Sequence, residues 1–365
     1  MSGYSEQANS SQLLREFPVG EAFSAGPAGL DAEALRALQE VRFAKVMKRA
    51  WQVPFYQRHW GEAGLEPGDI AGLDDLARLP VVTKDDLMDS VERFPPLGDY
   101  HGMDRPEGGQ FRTVLQTTSG TTGSPQPLFF GAKDREIQNI LLARAYLLQG
   151  LRSDDVVHSV YGFGMVNGGH YIREAVLYYT DALLLPAGTG TQTRSLQQVE
   201  LMQRFGATVL VGFGDFLHKL ARTANEAGLV PGEDIPLRMI SGHVAHDARQ
   251  ALSNAWGGAV VYDWYGVGDT GIVAAEGPVC DGLYIWEDAH YVEIVAPDSG
   301  VPVEPGCDGN LCVTVLFKDS VYPIVRFDTQ DVSRLLPADS DSGINFQRIA
   351  GFSGRSDNMV KLRGV

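Results

Sequence analysis

The sequence predicts an α/β fold in which helices cover mostly parallel sheets, followed by a small β-rich part. Between residues 133 and 262, short apolar runs alternate with helical patterns, and glycines such as Gly150 and Gly206 follow the helical segments. This alternation is typical of parallel strands joined by helices. From Gly282 the pattern changes to short alternating segments separated by turns. That change indicates a small distorted β-barrel.

The first helix is expected from Asp31, which is a suitable N-cap. Apolar residues then recur at three- and four-residue steps, as on one helical face, at Ala34, Leu35, Leu38 and Val41. Pro54 is expected to end this helix, because proline disfavours helical conformation in the preceding residue. A second helix is expected after Thr83, which would cap it.

The alternating region supplies the remaining elements. We expect helices at 133–149, 168–179, 195–205, 215–227 and 245–256, and strands at 155–160, 182–185, 208–211, 237–240 and 260–262. The resulting organisation is a flexible leader at 1–30, α/β subdomains at 31–281, a β-rich subdomain at 282–353 and a final segment at 354–365.

Composition limits the partners. The chain has 365 residues with 46 acidic and 30 basic side chains, giving a net charge of −16. Such a surface repels phosphate backbones, so we expect neither nucleic-acid nor membrane binding. No signal pattern opens the chain and no apolar run reaches the ~18 residues needed to cross a bilayer. Three cysteines fit a reducing compartment, and we expect a cytoplasmic protein.

The most informative segment is the hydroxyl- and glycine-rich run from Thr117 to Pro125. Glycines let the backbone approach a ligand, and N–H groups and hydroxyls can surround phosphate oxygens. The order fits neither a Walker loop, which needs Gly-Lys-Ser/Thr, nor a dinucleotide fingerprint, which needs G-x-G-x-x-G. A surface loop rich in Thr, Ser and Gly without a ligand is the alternative.

Three further segments carry residue types suited to a site: 262–271, which includes Tyr265-Gly266 and Asp269; 325–331, which ends in Asp331; and 354–365, which begins Gly354-Arg355. Each is commonplace alone. Together and in this order they resemble the adenylate-forming superfamily of acyl- and aryl-CoA synthetases, luciferases and peptide-synthetase adenylation domains. Within it they most resemble the phenylacetate–CoA ligase family, over residues from about 31 to the end.

This resemblance implies the fold of an adenylate-forming N-terminal domain and a definite chemistry. ATP and an aryl carboxylic acid, phenylacetate- or benzoate-like, would give an acyl-AMP, and the acyl group would then pass to CoA. Mg²⁺ would assist the first step. The same adenylate could instead be transferred to an amine or a carrier protein, or the chain could be a non-catalytic nucleotide-binding module. A homodimer stays open.

The resemblance also implies roles for single residues, with Thr122, Asp269 and Arg355 as catalytic. The β- and γ-phosphates would be held by Thr118, Ser119, Gly120, Thr121, Thr122 and Gly123. Asp269 stands where the family has a glutamate that helps hold Mg²⁺, and this shorter side chain could act through water. The nucleoside would be held by Ser241, Gly242, His243, Asp263, Tyr265, Gly266, Asp331 and Arg355. Among these, Tyr265 would lie against adenine and Asp331 would accept both ribose hydroxyls, whereas His243 could equally be a surface-loop histidine.

The acid would lie in a slot of aromatics and glycines, lined by Tyr161, Phe163, Gly164, His170, Phe213, Gly214, Gly266 and Gly268. Core packing is an equal alternative for Phe163 and Met165. The family lysine after the phosphate loop is absent, and Ser124-Pro125-Gln126 stands there.

Two further expectations concern metal and chain length. Cys280, Cys307 and Cys312 lack close spacing, which favours buried or unpaired thiols over zinc. The chain stops at Val365, after a motif in which Asp357 would be a hinge, and the family's C-terminal domain with its adenylation lysine would follow. On this reading the chain would bind ATP, AMP and acid but adenylate poorly.

Overall fold

The computed structural model describes residues 4–357, apart from 105–107, 120–123, 245, 339 and 341. Its α-helices are α1 (Tyr4–Gln7), α2 (Ser10–Glu16), α3 (Gly20–Ser24), α4 (Ala32–Ala50), α5 (Pro54–Glu62), α6 (Lys84–Arg93), α7 (Ala132–Leu148), α8 (Gly168–Tyr179), α9 (Ser195–Phe205), α10 (Gly214–Glu226) and α11 (Arg249–Ala255). Short 3₁₀ helices span Pro27–Gly29, Leu73–Arg78 and His246–Ala248.

The strands in the described part of the chain are β1 (Thr113–Thr117), β2 (Pro127–Gly131), β3 (Val156–Ser159), β4 (Leu183–Pro186), β5 (Val209–Val211), β6 (Met239–Ser241), β7 (Val260–Tyr262), β8 (Trp264–Val267), β9 (Gly271–Glu276), β10 (Leu283–Ile285), β11 (His290–Val295), β12 (Gly309–Val315), β13 (Phe327–Ser333) and β14 (Arg348–Ile349).

A five-stranded parallel sheet organises the first part, in the order β4-β3-β5-β6-β7. Successive side chains of a strand point to opposite faces, so a sheet covered on both faces separates two cores. On β5, Val209 and Val211 join the larger hydrophobic cluster, whereas Leu210 joins a second cluster with Trp256. The predicted α/β class is therefore confirmed, and the predicted helices and strands fall within a few residues of their positions.

The later part is antiparallel. A four-stranded sheet has the order β14-β10-β9-β8, and a three-stranded sheet has the order β11-β12-β13. These two sheets make up the β-rich part that we expected as a small distorted barrel. The four-stranded sheet contains strands from both sides of residue 282, because β8 and β9 pair with each other and β9 pairs with β10.

The hairpin β1–β2 frames the hydroxyl-rich run. Its antiparallel register pairs Thr113 with Gly131 and ends at Thr117 opposite Pro127. The run between the two strands is therefore closed at its base by backbone pairing. No described helix combines the length and apolarity that crossing a lipid bilayer requires.

Two local expectations are wrong, and one is confirmed. Residues 4–30 are not a loose leader, since Leu13, Phe17 and Phe23 are buried in the larger cluster. The first helix, α4, ends at Ala50 and Val53 is extended, as expected for the residue before a proline, and Pro54 then opens a new helix, α5. On α4, Val41 is 59% exposed. The buried face of α4 instead runs through Leu35, Gln39, Phe43, Val46, Met47, Arg49 and Ala50.

Candidate active site

A cleft of about 810 Å³ lies where the parallel strands end. Tyr161 follows β3, Phe213 follows β5, His243 follows β6 and Trp264 follows β7, and all four side chains line the cleft. The carboxyl ends of parallel strands meet at one edge of a sheet, where loops gather and ligands bind in such folds. The topology therefore brings four residues together that lie up to a hundred positions apart.

The hairpin supplies one end of the cleft. Thr117, Thr118 and Ser119 line it at the start of the hydroxyl-rich run. The two sides of the run are tied together, because Thr118 N donates to Gln126 O at 3.1 Å and Thr118 Oγ1 accepts from Gln126 N at 3.1 Å. Four of the predicted phosphate-binding residues lie outside the described residues, namely Gly120, Thr121, Thr122 and Gly123.

Asp269 lies beside this hairpin with its side chain held on one oxygen. Its Oδ1 accepts a hydrogen bond of 2.7 Å from Gln126 Nε2 and one of 2.6 Å from the Tyr322 hydroxyl. Its main-chain oxygen accepts from the ammonium of Lys318. Burial lowers the pKa of Lys318 to about 8, partly offset by the nearby carboxylates of Asp134 and Asp269.

The environment of Asp269 fits a hard cation. Among the hydrogen bonds of the described residues, none is made to its Oδ2, although the residue lines the cleft. A carboxylate oxygen without a hydrogen-bond donor, on a residue that lines a cleft, is the kind of ligand that Mg²⁺ takes in nucleotide sites. Gln126, Tyr322 and Lys318 are all donors and would hold this residue in place.

Asp331, on strand β13, and Arg355, which follows β14, form a second polar group. Arg355 Nη1 lies 3.2 Å from Asp331 Oδ1, and Arg355 lines the cleft. The hydroxyl of Tyr265 donates to Asp331 Oδ2 at 2.8 Å. Burial raises the pKa of Asp331, while its bonds to Tyr265 and Arg355 oppose this shift.

Tyr265, the residue expected next to adenine, does not line the cleft; its neighbour Trp264 does. The Tyr265 ring is instead buried beside Asp331. Adjacent residues of a strand face opposite sides, so only one of the two can face the cleft. The sequence carries no signal for which one, and Trp264 was missed for that reason.

His243 is part of the cleft wall rather than of an outer loop. Its ring lies 4.1 Å from the Trp264 ring and 5.5 Å from the Phe213 ring, measured between centroids. Burial lowers the pKa of His243 to about 4, so the ring is neutral near pH 7. The preceding Gly242 lets two strand ends touch, since a Cβ there would lie 1.9 Å from Gly212 O.

Ser241 and Asp263 lie behind the wall. The Ser241 hydroxyl donates to Gln149 Oε1 at 2.6 Å and is buried. Asp263 accepts from Trp264 N at 2.8 Å. Burial raises the pKa of Asp263 to about 7, although Arg249 nearby opposes the shift. Neither side chain lines the cleft, and Asp263 supports Trp264, which does.

Most residues of the predicted acid slot line this cleft. Tyr161, Phe163, Gly164, Phe213, Gly266 and Gly268 line the cleft. Core packing is excluded for Met165, which is 53% exposed, and Phe163 is only half-buried. His170 lies outside the wall and contacts Gly164 O at 3.1 Å through Nε2, and Gly214 begins α10 outside the wall as well.

Gln192 was also missed. It lines the cleft and holds the main chain of Phe163 from both sides, since its Oε1 accepts from Phe163 N at 3.3 Å and its Nε2 donates to Phe163 O at 3.1 Å. Gln192 follows β4, so its place after a parallel strand was the signal that could have found it. Lys84, the first residue of α6, is another cleft residue without a sequence signal.

No group of three or more His, Cys, Asp or Glu side chains that could hold a metal ion occurs in the described ranges. Cys280 and Cys307 are exposed and Cys312 is buried.

Fold and cleft place the protein among α/β enzymes whose ligands bind at the carboxyl edge of a parallel sheet. The chain belongs to the AMP-binding enzyme family, whose model matches residues 83–315. The predicted resemblance is confirmed, and with it the class of enzyme, an AMP-forming acid–thiol ligase.

Two phenylacetate-coenzyme A ligases are similar to this chain over most of its length. The chain is 30% identical over 341 residues to the phenylacetate-coenzyme A ligase of Aromatoleum evansii, covering 91% of this chain and 73% of that protein. It is 32% identical over 343 residues to the enzyme of the same name from Pseudomonas putida, with the same coverage of 91% and 73%.

Solved structures show the same relationship. The open conformation of a 2-hydroxyisobutyryl-CoA ligase, crystallised with 2-HIB-AMP and CoA, superposes with a TM-score of 0.82 at 27% identity. The match covers 93% of this chain and 78% of that chain.

Proposed function

We propose that the protein activates an aryl carboxylic acid, phenylacetate- or benzoate-like, as its acyl-AMP with ATP, and that the acyl group then passes to CoA. The observation that carries the proposal is the continuity of one cleft. Aromatic side chains of Tyr161, Phe213 and Trp264 line it together with Thr118 of the hairpin and the carboxylate Asp269. A reaction between an acid and a nucleotide requires an apolar wall for the acid beside groups that donate hydrogen bonds to phosphate oxygens.

The aromatic wall supports an aryl acid over a short aliphatic one. The rings of Tyr161 and Phe213 lie 4.7 Å apart, and Phe213 stacks on His243 at 5.5 Å with 27° between the planes. Flat apolar faces favour a planar ring through stacking and edge contacts. The neutral His243 adds no charge that would have to be desolvated.

In the first step the acid's carboxylate would attack the α-phosphorus in line, and charge would spread over phosphate oxygens. Thr118 and Ser119, with the run that follows them, would hold the β- and γ-phosphates. Mg²⁺ bound by Asp269, directly or through water, would supply charge neutralisation. Arg355, which lines the cleft beside Asp331, would add positive charge near the phosphates.

The ribose would bind to Asp331 beside its existing partners. Its Oδ1 is shared with Arg355 at 3.2 Å, and its Oδ2 receives the Tyr265 hydroxyl at 2.8 Å. Each carboxylate oxygen can accept more than one hydrogen bond, so a vicinal diol could bind without removing either neighbour.

The experiment measures products of ATP, Mg²⁺ and each of phenylacetate, benzoate, cinnamate and 2-hydroxyisobutyrate by chromatography, with and without CoA. Acid-dependent AMP and an aryl-CoA thioester are the expected products, with an aryl acid preferred. An adenylate trapped by hydroxylamine but not by CoA would favour transfer to an amine or carrier protein. Nucleotide binding without AMP from any acid would favour a non-catalytic module.

A further inference from the structure

Asp269 is held by two neighbours that come from distant parts of the chain. Gln126 lies 143 positions away and Tyr322 lies 53 positions away. Both donate to the same oxygen, Oδ1, at 2.7 and 2.6 Å. The two donors also approach each other, since Gln126 Nε2 lies 3.3 Å from the Tyr322 hydroxyl oxygen.

All three side chains are removed from solvent. Gln126 is 0% exposed, Tyr322 is 1% exposed and Asp269 is 4% exposed. In such a setting a hydrogen bond to a carboxylate is strong, and its geometry persists because no water competes for the donor. The carboxylate of Asp269 can therefore rotate very little about its last bond.

The side chain of Tyr322 is held in place by packing against other aromatic rings. Its ring lies 5.4 Å from the Tyr100 ring and 6.1 Å from the Phe129 ring, measured between centroids. The ammonium of Lys318, which donates to the main-chain oxygen of Asp269, lies 4.7 Å from the Tyr322 ring centroid. Side chain and main chain of Asp269 are thus both fixed from the segment between β12 and β13.

This inference rests on the proposed function. We infer that Gln126 and Tyr322 form a two-donor clamp that occupies one oxygen of Asp269 and turns the other toward the cleft, where it holds the metal of a metal–nucleotide complex. Both are positioning residues, because they act on the nucleotide only through Asp269. The clamp suits an aspartate, because its short side chain has few conformations and its carboxylate must already be oriented toward the metal before the metal binds.

The clamp also links the metal-holding carboxylate to the phosphate-binding run. Gln126 directly follows that run, and its main chain is bonded to Thr118 on the other side. This connection is what makes Gln126 more than a neutral replacement for a basic residue.

The test measures the dissociation constant of β,γ-methylene ATP by calorimetry, with Mg²⁺ and with EDTA. Tyr322→Phe should raise the constant with Mg²⁺ about 10-fold, the size expected for one lost hydrogen bond to a charged group. The constant with EDTA should stay within about twofold, because the clamp matters only through the metal. Melting curves verify that the variant folds.

Two comparisons make this test specific. Tyr100→Phe is the matched control, since Tyr100 belongs to the same aromatic cluster but donates to Pro127 O at 2.8 Å and not to Asp269. It should leave the Mg²⁺-dependent part of binding unchanged. In an Asp269→Asn background, Tyr322→Phe should cause no further loss of nucleotide affinity. The effects of substituting two contacting residues that act together are not additive.

The outcomes separate the two levels of the account. If Tyr322→Phe behaves like Tyr100→Phe, or is as harmful in Asp269→Asn as in the native protein, the clamp is refuted while the proposed function stands. If the native protein binds the nucleotide equally with Mg²⁺ and with EDTA, the metal role of Asp269 fails, and the clamp fails with it.

Discussion

The guanidinium of Arg144 and the carboxylate of Asp288 form a completely buried, two-pronged ion pair, with N–O distances of 2.8 and 3.0 Å. Arg144 lies on α7, and Asp288 lies between β10 and β11. The pair therefore joins the α/β part to the β-rich part, which the sequence had assigned to separate subdomains.

Removal of one partner from this pair should be costly. We expect Asp288→Ala to lower the free energy of unfolding by about 3–5 kcal/mol, because Arg144 would be left as an uncompensated buried charge. Urea unfolding checks this value. Asp308→Ala is the control, since Asp308 and Arg334 form an exposed pair at 3.3 Å, worth about 1 kcal/mol or less. Equal effects of the two substitutions would contradict the role of the buried pair.

Asp331 should contribute to AMP binding and not only to the stability of the fold. We expect Asp331→Ala to weaken AMP binding by about 1.5–3 kcal/mol, the range for hydrogen bonds to a charged group. Calorimetric titration with AMP measures this, and Asp308→Ala again serves as the remote control. An unchanged affinity in a folded Asp331→Ala protein would overturn the ribose assignment.

Asp263 should give the stability a pH dependence. Its folded pKa is raised to about 7, above the value of about 3.9 for an unfolded chain, so the folded state binds the proton more tightly. The stabilising contribution is complete below about pH 4 and is lost as the pH rises through about 7. We therefore expect Asp263→Asn to become more favourable relative to the native protein as the pH rises over this window.

Urea unfolding at several pH values between 4 and 8 measures that difference. The slope should be at most about 1.4 kcal/mol per pH unit, the limit for one proton. A pH-independent difference for Asp263→Asn would contradict the raised pKa.

Gly242 should tolerate no side chain. A Cβ at this position would lie 1.9 Å from the main-chain oxygen of Gly212, so the ends of β5 and β6 would have to separate. We expect Gly242→Ala to lower the melting temperature and to weaken AMP binding together. Gly61→Ala is the control, because nothing lies within 4 Å of that Cβ and α5 should be slightly stabilised. A native-like Gly242→Ala protein would contradict the close approach.

The parallel sheet could be predicted because its strands and helices are each identified by local sequence patterns. Helix α8 runs from Gly168 to Tyr179 and α9 from Ser195 to Phe205, as the patterns predict. The capping box at Thr83, whose Oγ1 accepts from Asp86 N at 3.2 Å, is equally local. Such features depend on neighbours within one turn, which a sequence displays directly.

What could not be predicted depends on contacts between distant segments. The choice between Trp264 and Tyr265 for the cleft is set by which face of β8 the rest of the fold covers. The leader becomes ordered because Phe23 packs on Trp286 at 5.6 Å, a contact across most of the chain. The clamp on Asp269 has the same origin, since neither Gln126 nor Tyr322 belongs to a recognisable motif.

The most direct test of the central claim is a calorimetric titration with a stable sulfamoyl analogue of phenylacetyl-adenylate. The analogue should bind at one site per chain, more tightly than AMP or phenylacetate alone, since it would contact the aromatic wall and the Arg355 side of the cleft at once. Asp331→Ala and Phe213→Ala should each weaken it. No binding, or binding that neither substitution affects, would contradict a shared cleft for the acid and the nucleotide.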